Sequence, residues 1–359
     1  MEKLHQIFFD FLRFCIGSAK DIPSTLKEAD WKELYAIAQK QCLVGVLFDG
    51  IKKLPAEHVG MKKELLLQWM AESQMLEKAN VRLNDAAILV SEWFRKKGFR
   101  TSILKGQGNA LMYPDPYSRT PGDIDIWVEG GDKRVISFVR SISPHEKACY
   151  HHIEFPSYKG VEVEVHYRPS FLLCFWHNRK LQKYYERVKD EQFSHRVMLG
   201  EQGEVAIPTV EFNVIFQLTH IFSHLMNEGI GLRQLLDYYY VLISDDLLLI
   251  RDRVQEELKE LGLWKFVGGI MYIMQEVFGV PASRLIVPPN EKYGRFVLNE
   301  VLEAGNFGRH DERNHFGKTQ LGHNLQRVYR DIRLVKYFPA EAISEPIFRV
   351  WHFLWRKMH

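Results

Sequence analysis

Cysteine is scarce in this chain and its few copies lie apart: Cys15, Cys42, Cys149 and Cys174 show no CxxC or other metal-ligand spacing. That argues against structural zinc and against a disulfide framework, and it fits a reducing compartment such as the cytoplasm. Long apolar runs are missing as well. The opening stretch MEKLHQIFFDFLRFCIGSAK is interrupted by Asp10 and Arg13 before it reaches the length of a signal core or a membrane span, so it predicts an amphipathic helix and no membrane partner. Charge of one sign is absent too: 48 Lys and Arg against 45 Asp and Glu leave a formal +3, too little to mark a nucleic-acid binder. Neither internal repeats nor low-complexity linkers occur.

What is present is apolar residue enough, 46% of 359 positions, to fill the cores of about two domains. From Leu4 to Gly98 apolar residues recur three and four apart, as in Trp31, Leu34, Ile37 and Ala38. The last helix of this region is predicted from Ala79 to Lys97, with Gly98 as its C-terminal stop. The pattern then changes to short strands around one helix: Arg100 to Leu104, Asp123 to Val128, a helix near Lys133 to Ile142, and strands at Ala148 to Phe155 and Val161 to Tyr167. A hairpin is predicted from His195 to Leu199 and Glu204 to Ile207, turning through Gly200 to Gly203.

Beyond Pro208 helices return. They are expected at Val210 to Met226, Leu232 to Ile243, Asp246 to Glu260, Leu263 to Phe278, Gly294 to Glu303, Leu325 to Tyr337 and Ala340 to Lys357. Loops at Pro288 to Asn290 and Gly305 to Gly317 separate the later ones. The sequence therefore reads as α+β: a helical N-terminal region (1–98), a small mixed α/β core (99–207) and a helical C-terminal domain (208–359).

Two of the strands carry acids on one parity. In Gly122-Asp123-Ile124-Asp125-Ile126-Trp127-Val128 the aspartates share a face, while Ile124, Ile126 and Val128 share the other. In Val161-Glu162-Val163-Glu164-Val165-His166 the two glutamates and His166 oppose the valines in the same way. Acids are depleted in strands, and setting them side by side costs repulsion unless cations lie between them. If the strands are neighbours, Asp123, Asp125 and one of the glutamates form a site for two Mg²⁺ or Mn²⁺ ions, the arrangement used for in-line displacement at phosphorus.

Just upstream, Leu104-Lys105-Gly106-Gln107-Gly108-Asn109 joins a strand to a short helix from Asn109 to Tyr113. Backbone N–H groups of Gly106, Gln107 and Gly108 at such a turn, with the Lys105 ammonium, suit the phosphates of an NTP. Arg119, in Tyr117-Ser118-Arg119-Thr120-Pro121, is placed to reach the triphosphate or to brace the aspartates through a bidentate contact.

The succession LKGQGNALMYPDPYSRTPGDIDIWV followed by VEVEVHYRP resembles the polymerase-beta-type nucleotidyltransferase superfamily. Within it the chain is most similar to a largely uncharacterised bacterial family known simply as nucleotidyltransferase family proteins. The resemblance rests on Lys105-Gly106, Arg119, Asp123, Asp125, Glu164 and His166. It extends to Trp31 with IAQKQCLVGVLFDGI, to HIFSH with LRQLLDYYYVL, and to the Gly305-Asn306-Phe307-Gly308 loop.

It implies transfer of an NMP group from an NTP to an acceptor hydroxyl with loss of pyrophosphate, the acceptor being a small molecule, a protein or tRNA. It also implies that Glu164 supplies the third carboxylate, with Glu162 as the alternative. One departure stands out. The superfamily places Gly-Ser where this chain has Gly106-Gln107, so the phosphate contact of the serine hydroxyl falls to Gln107 or to backbone. A member that binds nucleotide or a partner without catalysis is thus a second reading. A toxin-like tRNA-modifying enzyme is a third, motivated by the basic stripe Arg327, Arg330, Arg333 and Lys336.

His220 and His224 stand four apart on a predicted helix, a zinc-compatible spacing. Without a glutamate after His220, and on an apolar helix, they read as packed residues. Arg233 and Asp237 read as a helix-surface ion pair, or as the floor of the cleft. The aromatic final helix, with Phe348, Trp351, Phe353 and Trp355, reads as core packing.

Overall fold

A computed structural model describes the chain apart from residues 1, 56, 57, 59, 202, 310, 312 and 314–318. Four helices come first: α1 (Glu2–Ile16), α2 (Trp31–Lys40), α3 (Val44–Lys53) and α4 (Lys63–Lys96). The Asp30 side chain starts α2 by accepting from the backbone N–H groups of Lys32 and Glu33. The helix expected from Ala79 in fact begins at Lys63 and runs 34 residues. No glycine or proline interrupts it, and its first half is rich in strong helix formers.

The α/β unit follows: β1 (Thr101–Ile103), α5 (Gln107–Ala110), β2 (Ile124–Val128), α6 (Gly131–Ile142), β3 (His152–Tyr158) and β4 (Val161–His166). The strands form one sheet in the order β1-β2-β4-β3, with β2 and β4 parallel and both outer pairs antiparallel. Next comes α7 (Phe175–Ser194), for which the sequence carried no expectation. Its buried stripe includes Asn178 and Gln192 beside Leu181, Tyr184, Tyr185 and Phe193, so polar residues break the apolar period that would have announced it. The hairpin of β5 (Arg196–Leu199) and β6 (Gly203–Ala206) forms as expected, with position 202 of its turn outside the described residues.

The seven expected C-terminal helices form: α8 (Val210–Asn227), α9 (Leu232–Leu242), α10 (Asp246–Glu260), α11 (Trp264–Glu276), α12 (Glu291–Ala304), α13 (Gln320–Val335) and α14 (Pro339–Met358). Two start three or more residues before their apolar patterns suggested, because Asn290 caps α12 at the N–H of Tyr293 and Thr319 caps α13 at the N–H of Gly322. The expected loop from Gly305 to Gly317 lies partly outside the described residues. The fold is α+β, with helices flanking a small α/β core.

Strand parity divides the interior. Ile124, Ile126, Val128, Val163 and Val165 pack with Leu83 and Phe94 of α4 and with Val135 and Val139 of α6. On the other parity of β2, Trp127 belongs to a second core with Phe8, Leu47, Phe216, Leu235 and Phe266 of the surrounding helices. Each such large side chain contributes about 1.5–3 kcal/mol by leaving water. Both faces of β2 are therefore covered, and its five residues, Asp125 included, are all buried. Among the described residues no helix is long and apolar enough to cross a membrane, and the four cysteines are free.

Candidate active site

The parallel register of β2 and β4 sets Asp125 opposite Glu164 and Trp127 opposite His166. On the far side of β4, β3 places Glu154 opposite Glu164 and His152 opposite His166. Residues directly opposite in register project to the same face, so the sheet carries a ladder of acids and imidazoles. Oxygens of Asp123, Asp125 and Glu164 all lie within 4.8 Å of one another. Glu162 has the right parity but is exposed at the outer end of β4 and does not join them.

Two cationic groups converge on Asp125 Oδ1: Lys105 Nζ at 3.1 Å and His166 Nε2 at 2.9 Å. Lys105 is delivered by the turn after β1, which is fixed to β2 by the Leu104 N–H donating to the Asp125 carbonyl at 3.0 Å. His166 Nε2 also lies 3.3 Å from Glu164 Oε2. Burial disfavours the charge on Asp125, but Lys105 and the His166 hydrogen bond hold its pKa well below the usual carboxylate range. Asp123 is pushed up, first by the Asp125 charge and then by burial. Burial also disfavours the His166 imidazolium, yet Asp125 and Glu164 raise it to about 9. One buried acid is thus firmly ionised beside another that resists ionisation, as expected of crowded carboxylates awaiting positive charge.

The glycine loop departs from its expected part. Gly106 takes φ +60 and borders the pocket beside Asp123, as expected of a turn glycine. The Gln107 side chain, however, turns back to donate to the Asn84 carboxamide oxygen of α4 and to the Asn80 carbonyl at 3.4 Å, so it does not replace a phosphate-binding serine hydroxyl. Gly108 is a packing glycine, because a Cβ there would come within 3.2 Å of Ile207 Cγ2. The helix that follows is the four-residue α5, starting at Gln107, two residues before the expected Asn109.

Arg119 makes its bidentate contact elsewhere than the aspartates. Its Nε and one Nη each donate to an oxygen of Asp237 at 2.8 Å, and the Tyr113 hydroxyl donates to the same carboxylate at 2.7 Å. Asp237 is therefore no surface partner of Arg233: both are buried, and Arg233 donates to the Thr120 carbonyl at 3.2 Å. All three border the inner pocket below Asp123 and Asp125, in line with the cleft-floor alternative.

His220 accepts from the Lys105 ammonium at 3.2 Å. Burial, reinforced by the Lys105 charge, keeps this imidazole neutral. His224 pairs with Glu228 at 3.3 Å, and neither histidine belongs to a metal-compatible cluster among the described residues. The basic stripe of α13 is divided: Arg333 pairs with Glu300 at 3.0 Å and Arg330 is buried near Asp311, whereas Arg327 faces the cleft. The core packing expected of the final helix holds for Trp355 and Phe348, whereas Trp351 and Phe353 are substantially exposed.

The sequence reading missed His152 and Glu154. The signal was available, since His152-Ile153-Glu154-Phe155 alternates polar and apolar residues as β4 does. Two spaces adjoin the carboxylates. The inner one, of about 40 Å³, is bordered by Arg119, Gln217, Arg233 and Asp237 and has room for little more than water. The outer cleft, of about 730 Å³, is bordered by Asp123, Glu164 and His166 on one side and by Arg327, Arg349 and His352 on the other, a size that admits a nucleotide.

No curated protein and no solved structure matches the chain. Residues 27–279, which carry the carboxylate ladder and the helices on both sides of it, match the family described as uncharacterised nucleotidyltransferase, and the chain belongs to that family.

Proposed function

We propose that the chain transfers an NMP group from an NTP to an acceptor hydroxyl on the face formed by Asp123, Asp125 and Glu164, releasing pyrophosphate. The observation that carries this reading is the β2/β4 register, which converts acids 39 residues apart in sequence into directly opposed neighbours, Asp125 and Glu164. The donors are all carboxylate oxygens, the ligand type suited to Mg²⁺ or Mn²⁺, and Asp125 already gathers two cationic side chains. Two such ions, when bound, would supply the positive charge that lets a triphosphate approach three carboxylates.

The chain's own groups do the rest. The outer cleft holds the nucleotide, and Lys105 exchanges its contact with Asp125 for a phosphate oxygen. The acceptor oxygen forms its bond to the α-phosphorus as the bond from that phosphorus to the bridging oxygen breaks, and pyrophosphate leaves with the electron pair. Glu164, the carboxylate with a side chain still 26% exposed to the cleft, accepts the proton of the acceptor hydroxyl. Arg119, Tyr113 and Asp237 position the floor without touching the reacting atoms.

The test is calorimetry of NTP with Mg²⁺ or Mn²⁺, combined with transfer of label from α-labelled NTPs to pools of tRNA, protein and small-molecule acceptors. Label transfer by the wild type and its loss in Asp125→Asn is the expected result. Nucleotide binding unchanged by Asp125→Asn, with no transfer in either protein, would replace this reading by a nucleotide-binding module.

A further inference from the structure

The same sheet face holds a second ligand set of different chemistry. His152 Nδ1 lies 3.4 Å and His166 Nε2 3.3 Å from one oxygen, Oε2 of Glu164. Ligands placed tetrahedrally about a zinc-like ion at about 2.0–2.1 Å stand about 3.3–3.4 Å from one another. The two edges that meet at the carboxylate thus already have the spacing of such a site, and the ligand atoms of all three residues lie within 4.8 Å of one another.

The outer contacts fit as well. His166 Nε2 donates to Asp125 at 2.9 Å, and an ion bound there takes the place of that proton and contact. Nδ1 faces the Arg168 carbonyl at 3.4 Å, and because a carbonyl only accepts, Nδ1 keeps its proton and Nε2 becomes the ligand nitrogen. His152 Nε2 faces Cys149 Sγ at 3.3 Å, which leaves Nδ1 directed to Glu164. Histidine ligands are commonly oriented in this way, by a carbonyl or another acceptor on the second ring nitrogen. All three residues border the outer cleft, which provides the route of entry. The 3.0 Å contact of His151 Nε2 with His152 Nδ1 is one that an incoming ion replaces.

We infer that His152, Glu164 and His166 bind a borderline divalent ion of the Zn²⁺ or Co²⁺ class, next to the oxygen-only set of Asp123, Asp125 and Glu164. Imidazole nitrogens favour such ions over Mg²⁺, whereas carboxylates alone do not. Glu164 belongs to both sets, so the ion would set the position of the carboxylate assigned above as proton acceptor. The inference rests on the proposed function only for the role of Glu164 in catalysis, not for the site itself.

The experiment is a Co²⁺ titration of the full chain, stripped with chelator and held in excess Mg²⁺, read by visible ligand-field bands and by competition with Zn²⁺. The expected pattern is one Co²⁺ per chain, affinity lowered about tenfold or more in His152→Ala, and bands retained in Asp123→Asn. Circular dichroism confirms that each variant folds, and His152→Asn replaces the alanine variant if that one does not. Absence of bands in the wild type, bands indifferent to His152, or bands lost in Asp123→Asn would each overturn the inference. Loss of Mg²⁺-nucleotide binding is a separate readout, so the proposed function can fail while this site stands, and the reverse.

Discussion

Two groups of buried charge lie on either side of the inner pocket, and they are built on opposite plans. In the floor, Arg119 and Asp237 meet fork to fork, Tyr113 takes up a further lone pair, and Arg233 adds positive charge nearby. On the sheet, Asp123, Asp125, Glu164 and Glu154 gather along neighbouring strands, with Lys105 and His166 meeting Asp125 and His152 lying beside the two glutamates. The Arg119–Asp237 pair is matched charge for charge, and matched buried pairs position structure. The sheet is left short of positive charge and opens to a cleft, the setting that the proposed transfer needs.

The comparison is most sharply tested by Asp125→Asn, which leaves size and packing nearly unchanged. Label transfer should fall about a thousandfold or more, far beyond the loss of folded fraction that follows from taking the carboxylate partner from Lys105 and His166. A large loss of stability without loss of transfer would reverse the assignment of the two groups. In the floor the expectation is the opposite. Arg119→Met strands Asp237 without its partner and should cost about 3–5 kcal/mol in urea unfolding, with the residual activity following the folded fraction.

Smaller effects discriminate further. Lys105→Met should weaken NTP binding by about ten- to a hundredfold, as loss of one charge-assisted contact of about 1.5–3 kcal/mol implies, and should leave Asp125 held by His166. Gln107→Ser introduces the serine that the resemblance leads one to expect there, yet nucleotide affinity should not improve, because the side chain at position 107 points at Asn84. Stability should instead drop by about 1 kcal/mol with the lost hydrogen bond, read as a lower urea midpoint.

The smallest effect is in pH. Burial disfavours the Asp237 charge, but Arg119 lowers its pKa below the usual carboxylate range. A depressed acid contributes stability that is complete above its unfolded pKa and is lost as pH falls through the folded value. The stability gap between wild type and Asp237→Asn should therefore be constant at neutral pH and shrink only on acidification below the ordinary carboxylate range.

Much of this was legible in the residues. Period-two alternation placed Asp123 and Asp125 on one face and Ile124 and Ile126 on the other, and three- and four-residue spacing located the C-terminal helices. Helix starts were less legible, since Asn290 and Thr319 set them through single capping bonds that apolar spacing does not register. Helix α7 was invisible because Asn178 and Gln192 are buried by hydrogen bonding instead of by hydrophobicity.

By itself, then, the sequence determined which side chains share a face, because alternation along a strand is a local property of the backbone. Only the tertiary structure decided which faces meet. The pairing of β2 with β4 selected Glu164 over Glu162, and β3 brought His152 and Glu154 to the same ladder. Docking of α9 gave Arg119 its partner in Asp237, 118 residues away, and α4 drew Gln107 out of the site. Register and docking are set by the whole buried surface at once, so no window of neighbouring residues contains them.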